Sequence, residues 1–267
     1  MFDLLLVCVG LGILLFIGWG FFSGVGSFNN LTQASTVVAS PSGWNLFSAM
    51  MMASLGAFWG YEGWNNIGFI GEEVENPKKN LPKSLALGTI IVISCYVLLN
   101  LVFVYILPID FFIKLNKVPN SIAAVEVARV LGGDIGMLLV ALLILTTTLN
   151  ATNSTILMSA RIIYAMSRDK MFFKFADSVH PNYHTPGKAL WLQCIWGIAL
   201  IFTGSFDQLT DMLVFASFLF YGSSALGVLI MRKKAPELER NYKVWGYPFV
   251  PLLFVFFCTV LFVMTIF

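Results

Sequence analysis

Glu62 is the one acid placed deep inside an apolar stretch of this chain. It stands in GAFWGYEGWNNIGF, residues 56–69, among Gly56, Gly60, Gly63 and Gly68 and beside Trp59, Tyr61, Trp64, Asn65 and Asn66. Burying an ionisable group in such surroundings is costly, so it is kept for a task or reaches water. Three readings are open: Glu62 carries a coupling proton, it meets a cationic part of a substrate or of the protein, or it faces a water-filled vestibule without a specific role. The glycines also have two readings. They suit close packing of membrane helices. Where they coincide with polar and aromatic groups, they predict a discontinuous helix whose freed carbonyls and amides bind the charged ends of a small molecule. Trp59, Gly60, Tyr61, Glu62, Gly63, Trp64 and Asn65 are therefore the candidate substrate-binding residues.

A second polar line lies further along. Thr148, Thr152, Thr155 and Ser159 are spaced four, three and four apart and share one helix face, with Asn153 beside them. They could wall a pathway or hold a cation, or they could simply hydrogen-bond between helices. Arg161 ends this face and is a candidate partner of Glu72, Glu73 or Glu75 in a cytoplasmic gate. Tyr221, in SFLFYGSS, could line a pocket or pack as membrane aromatics commonly do. Other constellations are weak. His180 and His184 are four apart, but Pro181 and Pro186 break any helix turn and no third ligand is near, so no metal is expected. Cys8, Cys95, Cys194 and Cys258 all fall in apolar runs, as small buried hydrophobes do. No phosphate loop, nucleophile elbow or cofactor motif is present.

The elements that must hold these residues follow from composition. Of 267 residues, 58% are hydrophobic and only 11% charged, with a mean hydropathy of +0.83. Soluble domains carry about 25% charged residues, so lipid must be the solvent for most of the chain. A span needs roughly 17–25 apolar residues. Seven stretches qualify or come close: Leu4–Phe22, Leu46–Ile70, Leu85–Leu107, Ile135–Ser159, Ala189–Thr203, Met212–Met231 and Phe249–Phe267. The fifth is short. Ser121–Leu131 is amphipathic and predicts a small helix on the membrane face. The fold class is all-α, multi-pass in the cell membrane.

Basic residues orient it. If the second, fourth and sixth spans end in the cytoplasm, Lys78, Lys79, Lys83, Arg161, Arg168, Lys170, Lys174, Lys188, Arg232, Lys233, Lys234, Arg240 and Lys243 lie inside, and only Lys114, Lys117 and Arg129 outside. That asymmetry explains the basic loops without nucleic acid. Met1 would then lie on the cytoplasmic side with Asp3 and no Lys or Arg near it, which fits a position in the middle of a protein. The first stretch has neither the basic flank nor the cleavage site of a signal peptide.

The string YEGWNNIGFIGEEVENPKKNLPKSLALG, residues 61–88, resembles the sixth helix and following loop of the amino acid–polyamine–organocation superfamily, in the branch of L-type amino-acid transporters and bacterial Ser/Thr exchangers. Tyr61, Gly63, Trp64, Glu73, Asn76, Pro77 and Pro82 carry the likeness. SARIIYAMSRDKMFF, residues 159–173, is similar to that family's eighth helix, and HPNYHTPGKAL, residues 180–190, to the loop after it. The resemblance implies a LeuT-type fold of inverted repeats, with residues 1–267 as a single transmembrane domain holding helices five to eleven and the second repeat at about 46–231. It implies backbone carbonyls at Trp59, Gly60 and Glu62 for a substrate amino group, with Trp59 as a covering aromatic. The substrate carboxylate would bind helix one, in the N-terminal helices that this stretch lacks. Some members place a lysine in helix five; Phe2–Phe22 has none. At the position of Glu62 relatives often have Gly or Asp.

The leading reading is secondary transport of an amino acid by alternating access, with a counter-substrate or a coupling proton, and no enzyme activity. One alternative is a truncated fragment that does not transport. Another is a seven-helix receptor or channel. A retinal pump is disfavoured because Phe249–Phe267 lacks a lysine.

Overall fold

The structure, a computed structural model, describes residues 2–119, 121–238, 240 and 244–266, with the side chains of residues 2–6, 69–73 and 264–266 outside that description. Among the described residues all regular structure is helical: α1 Phe2–Phe22, α2 Asn29–Thr32, α3 Trp44–Gly60, α4 Pro77–Ile106, α5 Ile109–Leu115, α6 Ala123–Arg168, α7 Gly187–Ile201, α8 Phe206–Lys234 and α9 Phe249–Ile266, with a 3-10 segment at Trp64–Glu73 and a short one at Lys174–Ala176. Each of the seven expected stretches is occupied by a helix. Among the described residues three helices are long and apolar enough to cross a bilayer by length and composition: Pro77–Ile106, Ala123–Arg168 and Phe206–Lys234; Val7–Phe22, Gly187–Ile201 and Phe249–Val263 are shorter apolar helices. Several helices outrun the apolar stretch that predicted them, because a helix continues into its polar flank as long as its backbone ladder does. Large apolar side chains face outward, Phe22 at 91% exposure and Phe202 at 84%. Such surfaces suit lipid and would aggregate in water.

The chain divides into two compact units: residues Met1–Ser40 with Leu87–Met158, and Pro41–Ala86 with Ser159–Phe267. In the first, Phe16 and Ile17 of α1, Val102, Tyr105 and Ile106 of α4, and Val127, Ala128 and Val140 of α6 form the core. Close approach depends on Gly20, where an added Cβ would overlap the Val102 side chain. The amphipathic segment forms the first turns of α6. It is set off by Gly132 and by Gly133, whose φ of +60° a residue with a Cβ adopts only under strain. The end of α4 is closed from the following and preceding chain: the Tyr105 carbonyl accepts the Ser27 N–H at 2.9 Å and Asn30 Nδ2 at 3.0 Å, satisfying an acceptor that helix ends leave open. Beyond it Asp110, on α5, accepts the Ser35 hydroxyl at 2.5 Å, the Thr36 hydroxyl at 2.5 Å and the Thr36 N–H at 3.1 Å. α5 lies outside the apolar stretches from which the sequence predicts helices.

The second unit packs α3, α8 and α9 around Leu55, Val214, Phe218, Cys258 and Leu261. α8 starts at a reciprocal cap: Ser205 Oγ accepts the Gln208 N–H at 3.4 Å, and Gln208 Oε1 accepts the Ser205 N–H at 2.9 Å.

Two outcomes test this packing. Gly20→Ala should lower stability by about 1–3 kcal/mol, the range for overpacking a tight core, read as thermal unfolding in detergent, and Val102→Ala in the same chain should restore part of it. No recovery would separate the effect from the Gly20–Val102 contact. The hydroxyls of Ser35 and Thr36 hold the Asp110 carboxyl down at about 2, below its ordinary 3.8. A lowered carboxyl favours the folded loop above the ordinary value, and that contribution disappears as pH falls through the folded one. The protection factor of the Thr36 amide, measured against its intrinsic exchange at each pH, should therefore fall between pH 4 and 2, and Asp110→Asn should abolish that acid step.

Candidate functional site

The discontinuity falls where the glycines predict it. α3 ends at Gly60, and Tyr61 follows at φ −98° and ψ 0°. The Tyr61 N–H reaches the Ala57 carbonyl at 3.2 Å and that of Phe58 at 3.1 Å; the Glu62 N–H takes the Trp59 carbonyl at 3.1 Å. The ladder thus tightens from four-residue to three-residue bonds. Gly63, at φ +102°, turns the chain in a conformation that disfavours any other residue. The backbone then runs as a ten-residue 3-10 helix from Trp64 to Glu73, opened by the Asn66 N–H on the Gly63 carbonyl at 3.1 Å. Runs of this kind longer than three or four residues are uncommon and mark hinges or strained, functional stretches.

Glu62 projects from this break and has a partner on α8: Tyr221 donates its phenolic hydrogen to Glu62 Oε1 at 2.5 Å across 159 residues of sequence. The Trp64 ring lies 5.6 Å from that of Tyr221, tilted by 58°, and Trp64 itself is 52% exposed. Trp59 sets its ring edge-on to Phe206 at 5.4 Å and 88°. Beneath them Phe58 packs on Phe218 at 4.6 Å and on Phe257 at 5.6 Å. Offset and edge-on contacts of this kind add about 0.5–1.5 kcal/mol each beyond burial, so the broken segment is anchored on an aromatic floor from α8 and α9.

Trp59, Gly60, Tyr61, Glu62, Gly63, Trp64, Asn65 and Tyr221 thus belong to one unit, and Tyr221 and Glu62 meet directly. The carboxylate keeps acceptor capacity on its second oxygen, for a proton, a cation or water. Among the described residues its hydrogen-bond partner is the Tyr221 phenol. The Trp59 carbonyl accepts the Glu62 N–H at 3.1 Å. Sequence reasoning missed Phe206, which supports Trp59; nothing in its local sequence marks it.

The threonine line is arranged differently. Thr148, Thr152 and Thr155 donate to the carbonyls of Ile144, Thr148 and Ala151 of their own helix, at 2.9, 2.8 and 2.9 Å. Their hydrogens are spent locally while their oxygens still accept. Asn153 is exposed beside them in the first unit. Arg161 stands on α6 in the second unit, and the gate partners Glu72 and Glu73 have side chains outside the described residues. His180 closes its own loop: Nδ1 accepts the N–H groups of Asn182 and Tyr183 at 3.3 and 3.4 Å, and the His180 N–H bonds the Thr185 carbonyl at 2.8 Å. Among the described residues no three His, Cys, Asp or Glu side chains are grouped to hold a metal.

A family model described as amino acid permease matches residues 2–267. The chain is 31% identical over 209 residues to the serine/threonine exchanger SteT of Bacillus subtilis, covering 78% of this chain and 46% of that protein. It is 30% identical over 212 residues to the mouse b(0,+)-type amino acid transporter 1, covering 78% and 41%. To the human cystine/glutamate transporter it is 30% identical over 203 residues, covering 74% and 38%. The matched part is less than half the length of these curated relatives.

The Tyr221–Glu62 bond is open to a double-mutant cycle. Tyr221→Phe and Glu62→Gln should each destabilise the protein, and their joint effect should fall short of the sum by about 1 kcal/mol, the scale of one side-chain hydrogen bond. Additive effects in thermal unfolding would mean the two side chains do not act on each other.

Proposed function

The chain belongs to the amino acid permease family, and on that premise we propose that the protein carries amino acids across the cell membrane by alternating access, exchanging one amino acid for another. The observation that carries the reading is the helix break at Gly60–Gly63 joined to α8 through Glu62 and Tyr221. A break of this kind turns backbone carbonyls toward the site, and carbonyls suit the ammonium group of an amino acid. Trp59 and Trp64 supply apolar cover, and Tyr61, Asn65 and Tyr221 the polar lining. The single bond from Tyr221 to Glu62 can be made in one state of the carrier and released in another, because it links two separate elements. Thr148, Thr152, Asn153 and Thr155 would line the pathway, and Glu72, Glu73 and Arg161 the cytoplasmic gate. The carboxylate of the substrate would be met by helices that precede this stretch in longer relatives. Exchange is favoured over proton symport by the likeness to a serine/threonine exchanger.

Reconstitution tests this. In proteoliposomes, the chain extended by the preceding helices should release labelled serine several-fold faster when unlabelled serine is present outside. Lack of trans-stimulation by any proteinogenic amino acid would overturn the reading. Gly63→Ala, which must hold φ +102° against about 1–3 kcal/mol of strain, should slow exchange about tenfold. Glu62→Gln should leave the pH profile of exchange unchanged; a flattened profile would make Glu62 the proton carrier instead. Flux through residues 1–267 alone would remove the need for the preceding helices.

A further inference from the structure

We propose that the turn after α6, residues 170–175, docks on the headgroup layer of a leaflet that contains anionic phospholipid. Two bonds close the end of α6: the Met171 N–H donates to the Met166 carbonyl at 2.9 Å and the Lys170 N–H to the Ser167 carbonyl at 3.1 Å. This is the Schellman closure, whose turning residue takes a left-handed backbone and is usually glycine. Here that residue is Lys170, at φ +61°. A residue with a Cβ is strained in this conformation, so glycine would serve the turn better, and a strained position of this kind points to a use for the side chain. Ser167, itself buried, donates its hydroxyl to the Phe173 carbonyl at 2.7 Å. Lys170 and Phe173 are thereby held by the same residue, and the chain is folded back on the helix end. The Ala176 N–H then bonds the Phe173 carbonyl at 3.1 Å, Ala176 is fully buried, and the short 3-10 turn Lys174–Ala176 packs on α7.

This anchored backbone presents large apolar side chains outward: Met171 is 74% exposed, Phe173 65% and Phe175 49%. The rings are set against one another. Phe173 stacks on Phe175 at 6.1 Å and 29°, and Phe172 meets Phe173 edge-on at 5.0 Å and 72°. Lys174 stands between the stacked pair in the chain and Lys170 directly precedes Met171; both lysines are exposed. With Arg168, whose guanidinium lies 5.8 Å from the Tyr164 ring, three cations face the two acids Asp169 and Asp177, so the excess is positive. Exposed apolar groups in contact with one another mark an interaction surface, and lysines among them can lay their stems along the apolar layer with their ammonium groups at phosphates. The position of the turn selects the occupant. α6 is long and apolar enough to cross a bilayer, and the turn begins two residues past its last residue, Arg168. The helix runs well beyond the roughly 17–25 residues that a span needs, which brings its end to the headgroup layer. A free phosphate ion would use the cations alone, whereas a leaflet also uses Met171, Phe173 and Phe175, and the surface is assigned to lipid for that reason.

The surface can be read without transport. Phe173 or Phe175 is replaced by the photoreactive benzoylphenylalanine, and the 267-residue chain is irradiated in nanodiscs of equal phosphatidylcholine and phosphatidylglycerol. Intact mass should show adducts of single phospholipids, with phosphatidylglycerol favoured about tenfold, given the attraction each basic residue has for an anionic surface. Lys170→Gly/Lys174→Gln should bring the two lipids to parity, while the charge-matched Lys78→Gln/Lys79→Gln should leave the preference unchanged. In detergent without lipid, Lys170→Gly should unfold at a higher temperature than the parent, because glycine adopts the left-handed turn without strain. Crosslinks only to protein, or no adduct at either position, would overturn the proposal. Equal yields of the two lipids in the parent chain, or equal loss of preference in both double variants, would overturn it as well. A lower unfolding temperature for Lys170→Gly would mean that the lysine serves the fold, and would count against the surface.

Discussion

A backbone that leaves the α-helical ladder in hydrocarbon has no water to turn to, and every freed N–H or C=O must find a partner or serve a ligand. The chain faces this at Gly60–Gly63. Part of the answer is local: the N–H groups of Tyr61 and Glu62 move to three-residue bonds, and the 3-10 segment carries the ladder onward. The rest is tertiary. Glu62 cannot be left without a donor beside an apolar floor, and Tyr221 of α8 supplies one. The interruption therefore ties α3 to α8, and their shared core with α9 has to form on the residues next to the break, Leu55, Phe58, Val214 and Phe218.

The same constraint explains how polar groups are handled elsewhere. The threonines of α6 return their hydrogens to carbonyls one turn back and so cost little in an apolar setting. The open carbonyls at the end of α4 are met by Ser27 and Asn30, and those at the end of α8 by Arg240. Asp110, outside the spans, can afford three donors because water and loop backbone are at hand. Polar side chains in the spans thus act in two ways: most pay their own helix, and Glu62 with Tyr221 reaches across to another.

Glycine takes part at two kinds of position. At Gly63 and Gly133 it permits a left-handed backbone that separates one helical segment from the next. At Gly20 it permits contact, since any side chain there would meet Val102, which is fully buried. Both uses recur in membrane proteins, where association depends on close packing because lipid tails give helices no hydrophobic reason to meet. The sequence distinguishes the two poorly: a glycine beside polar residues points to a break, but a packing glycine is recognised only with its neighbour in view.

Much of this protein could be read from residue order alone. Low charge and long apolar runs imply helices in lipid, and those runs place the seven helical segments, because a span's length and polarity are set by the bilayer and need no knowledge of neighbours. Gly60, Glu62 and Gly63 mark the break for a similar reason: φ preference and the cost of an ion in an apolar stretch are local properties. The tertiary structure decided the partners. That Glu62 meets the phenol of Tyr221, that Trp59 leans on Phe206, and that Arg232 lies over Tyr247 depend on side chains distant in the chain being brought within bonding distance. Such pairings follow from how the helices pack, and the apolar pattern along each one, nearly uniform around its circumference in α1 and α9, does not say which face turns toward which neighbour.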